Sequence, residues 1–333
     1  MSAAREETLP RPPEPMVATR DPSSLLGGRV GDRLYGAALH ALGGVVLLVG
    51  GVIVVVCARA SLPAFAKLGV GPFLLGSDWN PVEDSFGALP FLYGTLVTSL
   101  VAIAVALPIA VGLSLFLTEM APPGVRRVVS FLVELLAGIP SVVYGLWGLF
   151  VLVPWLRTTV EPWLGKWLGA LPLFALHGAP LGVGYLAGGL VLAVMILPTI
   201  TSVSVEVLRT APRTLREGAL ALGATRWEAI RIAVLPFARS GIFGATILGL
   251  GRALGETMAV TMVLGNQPEI HASLLSPGYS LPAVIANEFA EATGAIHTGA
   301  LAGLALVLLG TTLLLNAAAR ALVHYSTRRA RSA

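Results

Sequence analysis

Residues Thr214 to Pro236 read Thr-Leu-Arg-Glu-Gly-Ala-Leu-Ala-Leu-Gly-Ala-Thr-Arg-Trp-Glu-Ala-Ile-Arg-Ile-Ala-Val-Leu-Pro, a polar and basic island between long apolar runs. The pattern predicts two short helices joined at Gly223. Thr214 with Glu217 makes one capping box and Thr225 with Glu228 a second. Gly223 falls where a helix C-terminus favours a residue that tolerates the left-handed conformation. Pro236 is expected to stop the second helix. A bent helical hairpin between membrane spans is a rigid projection, suited to contact with something outside the bilayer.

Around that island the chain is far too apolar for a soluble domain. Of 333 residues, 55% are hydrophobic and only 12% charged. Apolar stretches of about 20 residues recur, the length that crosses a bilayer as a helix, and none alternates as a transmembrane barrel strand does. The fold class is therefore an all-α integral membrane protein with six transmembrane helices. The expected spans are 34–58, 91–118 (interrupted by Pro108), 128–153 (with Gly138-Ile139-Pro140 inside), 183–206 (with Leu197-Pro198 inside), 241–265 and 297–323. Residues 1–33, rich in Pro, Arg and Glu, read as a disordered cytoplasmic tail. Residues 34–90 hold an added first span and an outside loop, 91–323 form the coherent unit, and 324–333 are a cytoplasmic C-terminal tail.

Charge sets the orientation. With the N-terminus inside, the inside segments 1–33, 119–127, 207–240 and 324–333 hold five, two, six and three Lys or Arg, and Arg320 adds one. The outside segments hold four: Arg59, Lys67, Arg157 and Lys166. This positive-inside bias places Thr214–Pro236 and both termini on the cytoplasmic side. Trp155, Trp163 and Trp167 follow the third span, where interfacial anchors and an amphipathic loop are equally good readings. The net charge of +4 reports topology and implies no nucleic acid. Cys57 stands alone, which rules out an intramolecular disulfide.

Chemistry concentrates in the fifth span, Gly251-Arg-Ala-Leu-Gly-Glu-Thr-Met258. Arg252 and Glu256, four apart, would project from one helix face. A lone charge at the bilayer centre costs roughly 2.5–3.5 kcal/mol on insertion scales, so such residues face a partner or a polar cavity. Two readings of the pair stand. It holds helices together as a self-neutralising pair, or Arg252 is a cationic station on an anion path and Glu256 orients it. Arg suits an oxyanion because its planar fork matches two oxygens and stays charged. Gly251 and Gly255 bracket the pair at a small-xxx-small spacing that permits close approach of another helix. Glu134 is the other intramembrane acid, a charge partner for a cation on a neighbouring helix or subunit. The five histidines show no ligand spacing, so no metal is expected. No Gly-x-x-x-x-Gly-Lys-Ser/Thr motif is present to cradle nucleotide phosphates. No nucleophile–base set is visible either, so the chain does not read as an enzyme.

Glu217-Gly218-Ala219, Gly223 and Leu235-Pro236 together resemble the EAA loop of ABC importer permeases, with Gly218 in place of an Ala and Ala233 in place of an Ile. Four further stretches narrow the likeness: Phe86 to Ser99, Glu134 to Gly148, Gly251 to Met262, and Ser276-Pro-Gly-Tyr with Ala286 to Ala292. With these the unit 91–323 resembles the PstC-type permeases of phosphate-specific ABC importers. The resemblance implies a type I ABC importer permease fold in the bacterial cytoplasmic (inner) membrane. It implies a PstA-like second permease, two ATPase subunits and an extracytoplasmic phosphate-binding protein as partners, besides membrane lipid. ATP and Mg would sit on the partner ATPase, with no cofactor on this chain. Glu217, Gly218, Ala219, Gly223, Leu235 and Pro236 would dock that ATPase, and Arg252 and Glu256 would serve translocation. Permeases for molybdate, sulfate or phosphonate, and an ATP-independent secondary transporter, are the rival expectations.

Overall fold

Where water is absent, backbone groups must bond within their own segment, so the apolar runs fold as helices. The computed structural model describes residues 22–176 and 178–331. In chain order the elements are α1 (Pro22–Leu68), α2 (Val70–Leu75), a hairpin of β1 (Trp79–Asn80) and β2 (Ser85–Phe86), α3 (Leu89–Leu115), α4 (Pro123–Ala137), α5 (Ser141–Trp147), α6 (Val153–Trp155), α7 (Glu161–Leu168), α8 (Tyr185–Arg209), α9 (Arg213–Ala221), α10 (Arg226–Ala229), α11 (Leu235–Leu254), α12 (Met258–Val263), α13 (Leu281–Glu288) and α14 (Ala295–Arg331). The hairpin is antiparallel, with Trp79 opposite Phe86. Four π-turns, Phe116–Met120, Gly148–Leu152, Leu156–Val160 and Ile230–Val234, join or end helices without breaking them.

Among the described residues six helices are long and apolar enough to cross a membrane: Gly31–Leu68, Leu89–Met120, Ser141–Leu168, Tyr185–Arg209, Arg226–Leu254 and Ala295–Ala321. The first, second, fourth and sixth coincide with the expected spans to within a few residues at most ends, the first running ten further. α1 begins at Pro22 and α14 ends at Arg331, so part of each expected tail is helical. The rest of the N-terminal tail, 1–21, lies outside the described residues.

The third span differs. Residues 128–153 are not one helix, because the chain breaks at Gly138-Ile139-Pro140. Pro140 has no N–H to give the carbonyl of Leu136; that carbonyl accepts the Tyr144 hydroxyl at 2.7 Å and the Ile139 N–H at 3.3 Å instead. Register gives the depth of the break. A Cβ on Gly148 would lie 2.8 Å from Val191, and one on Gly182 would lie 2.3 Å from the Val153 carbonyl. Val153 is thus level with the start of α8, and Ser141 with its middle, near Pro198. α4 therefore packs along one half of α8, and α5 begins level with its middle. Trp155, Trp163 and Trp167 then lie within the continuing helix, all exposed, rather than beyond it.

The fifth span begins earlier than expected. Pro236 stops nothing: α10 passes through the π-turn Ile230–Val234 into α11. The wider turn resets the pairing just ahead of the proline, with Leu235 N–H bonding back to Ile230 O, and so absorbs the missing N–H. The helix ends instead at Gly255, well short of residue 265.

The chain divides into two units, Met1–Val55 and Val56–Ala333. Within the second, α8 is the central post, with 61% of its apolar window buried against 28–33% for α3, α11 and α14. Around it Tyr185, Leu192, Met195, Ile196 and Ile200 pack with Leu264 and residues of α3, α5 and α12. At the end bearing the basic hairpin, Leu115, Leu208, Ile230, Val234 and Ile242 form a second apolar block. At the opposite end Phe73, Phe86, Phe91, Leu281, Leu301 and Leu304 form a third.

Candidate functional site

Arg252 occupies the last turn of α11. Gly241 lies against Val207 and Gly249 against Ile200. This antiparallel register brings Arg252 level with about Leu197, midway along Tyr185–Arg209. Its side chain is exposed and makes no ion pair among the described residues.

Glu256 does not share its helix face. Gly255 ends α11, and Glu256 lies in the break before α12, where its Oε1 accepts the Ala259 N–H at 3.2 Å. The same-face, self-neutralising pair expected from the i, i+4 spacing is thus absent, because the helix stops between the two residues. Glu256 instead takes up a free N–H at the start of α12. Gly251 and Gly255 also lack the expected neighbour: a Cβ on Gly251 would meet nothing within 4 Å, and one on Gly255 only Gly251 O.

Two helix breaks meet at this level. α5 leaves the Gly138–Pro140 break and packs on α12, which leaves the Gly255–Thr257 break. The approach is close enough that a Cβ on Gly145 would lie 2.9 Å from Ala259 Cα and 2.7 Å from Met262 Sδ. Level with the middle of α8, an exposed guanidinium thus stands at the end of α11, at the level of two interrupted helices. Glu134 stands on α4, exposed, with no ion pair among the described residues.

The basic hairpin keeps most of its predicted chemistry. Gly223 adopts φ 87°. Ala224 N–H bonds to Ala219 O at 3.1 Å and Gly223 N–H to Leu220 O at 3.0 Å, the paired bonds of a Schellman cap. The Thr225–Glu228 box is formed in both directions, at 3.3 and 2.7 Å. The Thr214–Glu217 box is not. α9 starts at Arg213 after Pro212, so Thr214 is already inside the helix and cannot cap it. Glu217, Gly218 and Gly223 are exposed, Ala219 and Leu235 half-buried, and Pro236 exposed. Leu222 and Trp227 also stand exposed on the hairpin, at 91% and 59%.

Three polar contacts escaped the reading of the sequence. Arg216 of α9 grips Glu119 of the Phe116–Met120 turn. Glu161, only 2% exposed, accepts the Gly182 N–H at 3.0 Å. Glu288 accepts from Trp79 Nε1 at 2.9 Å and contacts His297 Nε2 at 3.0 Å. Apart from Glu288–His297, nine residues apart, each joins residues at least 21 apart, so no local spacing announces it. Among the described residues no cluster of three or more His, Cys, Asp or Glu could hold a metal ion.

Residues 109–332 match the family described as the binding-protein-dependent transport system inner membrane component. The chain is 45% identical over 293 residues to the "Phosphate transport system permease protein PstC" of Mesorhizobium japonicum, covering 87% of this chain and 89% of that one. It is 49% identical over 243 residues to the protein of the same name from Xylella fastidiosa strain 9a5c, covering 72% and 73%. It is 38% identical over 300 residues to "Phosphate transport system permease protein PstC 2" of Mycobacterium tuberculosis, covering 88% and 92%. Among solved structures, a chain of the bacterial alginate ABC transporter in complex with alginate pentasaccharide-bound periplasmic protein aligns with TM-score 0.57 over 88% of this chain and 97% of that one. At 18% identity that likeness speaks for the fold alone. The chain therefore belongs to the binding-protein-dependent transport system inner membrane components and, within them, to the PstC-type permeases.

Proposed function

We propose that this chain is a permease subunit of an ATP-driven importer that moves inorganic phosphate across the bacterial cytoplasmic membrane by alternating access. The observation that carries the reading is the exposed Arg252 guanidinium at mid-depth, between two helix breaks and without an ion pair among the described residues. Facing lipid, that charge would cost roughly 2.5–3.5 kcal/mol. Facing an anion path, it offers a fork that fits two oxygens of phosphate. The names of the similar permeases supply phosphate as the anion.

The partners follow from the family. A PstA-like second permease covers the exposed face that carries Arg252, Gly251 and Gly255. Two ATPase subunits, holding ATP and Mg, press on the hairpin Glu217–Pro236 from the cytoplasm, and an extracytoplasmic phosphate-binding protein delivers phosphate to the other side. This chain hydrolyses nothing and holds no cofactor. The excess of Lys and Arg on the hairpin side supports cytoplasmic N- and C-termini.

The test is phosphate uptake by the assembled complex carrying Arg252→Gln or Glu256→Gln. Loss of a bidentate, charge-assisted contact worth over about 1.4 kcal/mol lowers uptake roughly tenfold or more for Arg252→Gln. Normal uptake in both assembled variants would remove the pair from the mechanism. Competition by molybdate, sulfate or phosphonate stronger than that by phosphate would reassign the anion.

A further inference from the structure

The hairpin is tied by its backbone to α8 and α11 only, yet the mid-depth break that closes on Tyr144 belongs to α4 and α5. Besides the packing of α8 on α4 and of α12 on α5, a chain of side-chain contacts joins the two. Arg216 of α9 donates from Nε to Glu119 Oε2 at 2.9 Å and from Nη2 to Glu119 Oε1 at 2.5 Å. The same guanidinium reaches Ala211 O from Nη1 at 2.9 Å and Leu208 O from Nη2 at 3.4 Å, at the C-terminal end of α8. The pair is largely sheltered, with 24% of the Arg216 side chain and 9% of the Glu119 side chain exposed. It also lines a cleft of about 310 Å³ between α9, α10 and the end of α3, shared with Met120, Leu220, Trp227 and Ile230.

Glu119 sits in the Phe116–Met120 π-turn, and that turn is held from its other side. Arg126 of α4 donates from Nη2 to Thr118 O and to Ala121 O, each at 3.3 Å. Beyond Arg126, α4 runs to Leu136, whose carbonyl accepts the Tyr144 hydroxyl across the Gly138–Pro140 break. Apolar packing at this end, through Leu115, Leu208 and Ile230, is non-directional and tolerates sliding. The bidentate fork does not, because both of its bonds fix the angle between α9 and the turn.

We infer that a push on the hairpin reaches the mid-depth break through Arg216, Glu119 and Arg126, with α4 as the lever; this rests on the reading of the chain as an ATP-driven permease. The three are positioning residues. They touch neither anion nor nucleotide, and they make the movement of α9 and the movement of the Gly138–Pro140 break one event. Coupling of this kind is a physical claim only if both ends respond to the same joint.

The test uses the full complex with its second permease and ATPases in proteoliposomes, with phosphate-binding protein, and reads phosphate taken up per ATP hydrolysed. That ratio does not depend on how much complex survives assembly. Glu119→Gln and Arg126→Gln are expected to keep the ATPase bound and hydrolysing while the ratio falls about tenfold or more. The double variant should fall no further than the worse single one, since both lie on one path. An unchanged ratio in either single variant, or a double effect equal to the product of the single ones, would overturn the inference. Should either variant assemble poorly, Arg216→Lys, which keeps the charge and loses the fork, is expected to lower the ratio as well; a wild-type ratio there would overturn it equally. The unsubstituted complex reports on the parent reading by itself, since absence of ATP-driven uptake in it would remove the importer.

Discussion

Gly223 stands at φ 87° with nothing within 4 Å of the position a Cβ would take, so its requirement is conformational rather than steric. A β-branched residue there meets a left-handed penalty of about 1–2 kcal/mol. Gly223→Val is accordingly expected to distort the hairpin and lower phosphate uptake while membrane insertion continues. ATPase co-purification at wild-type yield with normal uptake would contradict this. Gly218 is the opposite case. It lies inside α9, exposed, with a right-handed backbone and open space around it. Gly218→Ala should stabilise α9 by about 0.5–1 kcal/mol through backbone entropy, read as a higher thermal midpoint of the purified complex. An unchanged or lower midpoint would show that the glycine has another duty.

At the scale of elements, the breaks matter more than the spans. α5 and α12 approach so closely at Gly145 that a methyl group must displace Ala259 or Met262. Gly145→Ala is expected to cost about 1–3 kcal/mol by overpacking, seen as a lower thermal midpoint; no change would mean the two half-helices are free to separate. How much of this was legible follows from where each signal lives. Gly223 and the Thr225–Glu228 box are local turn chemistry, and they appear as read. Pro140 is visible inside the expected span 128–153, but the break it makes there is not; the substitute donor, Tyr144, lies four residues on and cannot be known before the chain folds. Gly255 carries no proline and reads as helix interior, so the spacing of Arg252 and Glu256 suggested a shared face that the break removes. Pro236 looked like a stop because the π-turn ahead of it has no sequence signature. Glu119 and Arg216 are 97 residues apart, and only the folded chain brings them together.

At the scale of the molecule, the chain offers an exposed mid-depth charge at one site and an exposed, well-capped hairpin at another, and nothing in it can hold nucleotide phosphates by a Gly-Lys loop. On the proposed function, an anion station that opens only when a distant elbow is pressed accounts for both features at once. It also assigns the driving force to another subunit, since a charge held at mid-depth would otherwise bind phosphate and release it to either side at equilibrium. The two sites are joined through the contacts of Arg216, Glu119 and Arg126, whose loss should leave hydrolysis running and transport idle.

The most direct test is reconstitution of this chain into phosphate-loaded and phosphate-free vesicles, alone and with its second permease, ATPases and binding protein. The complete assembly is expected to accumulate phosphate only when ATP is supplied, and the isolated chain to carry none. Phosphate movement by the isolated chain, with no ATPase present, would contradict the account.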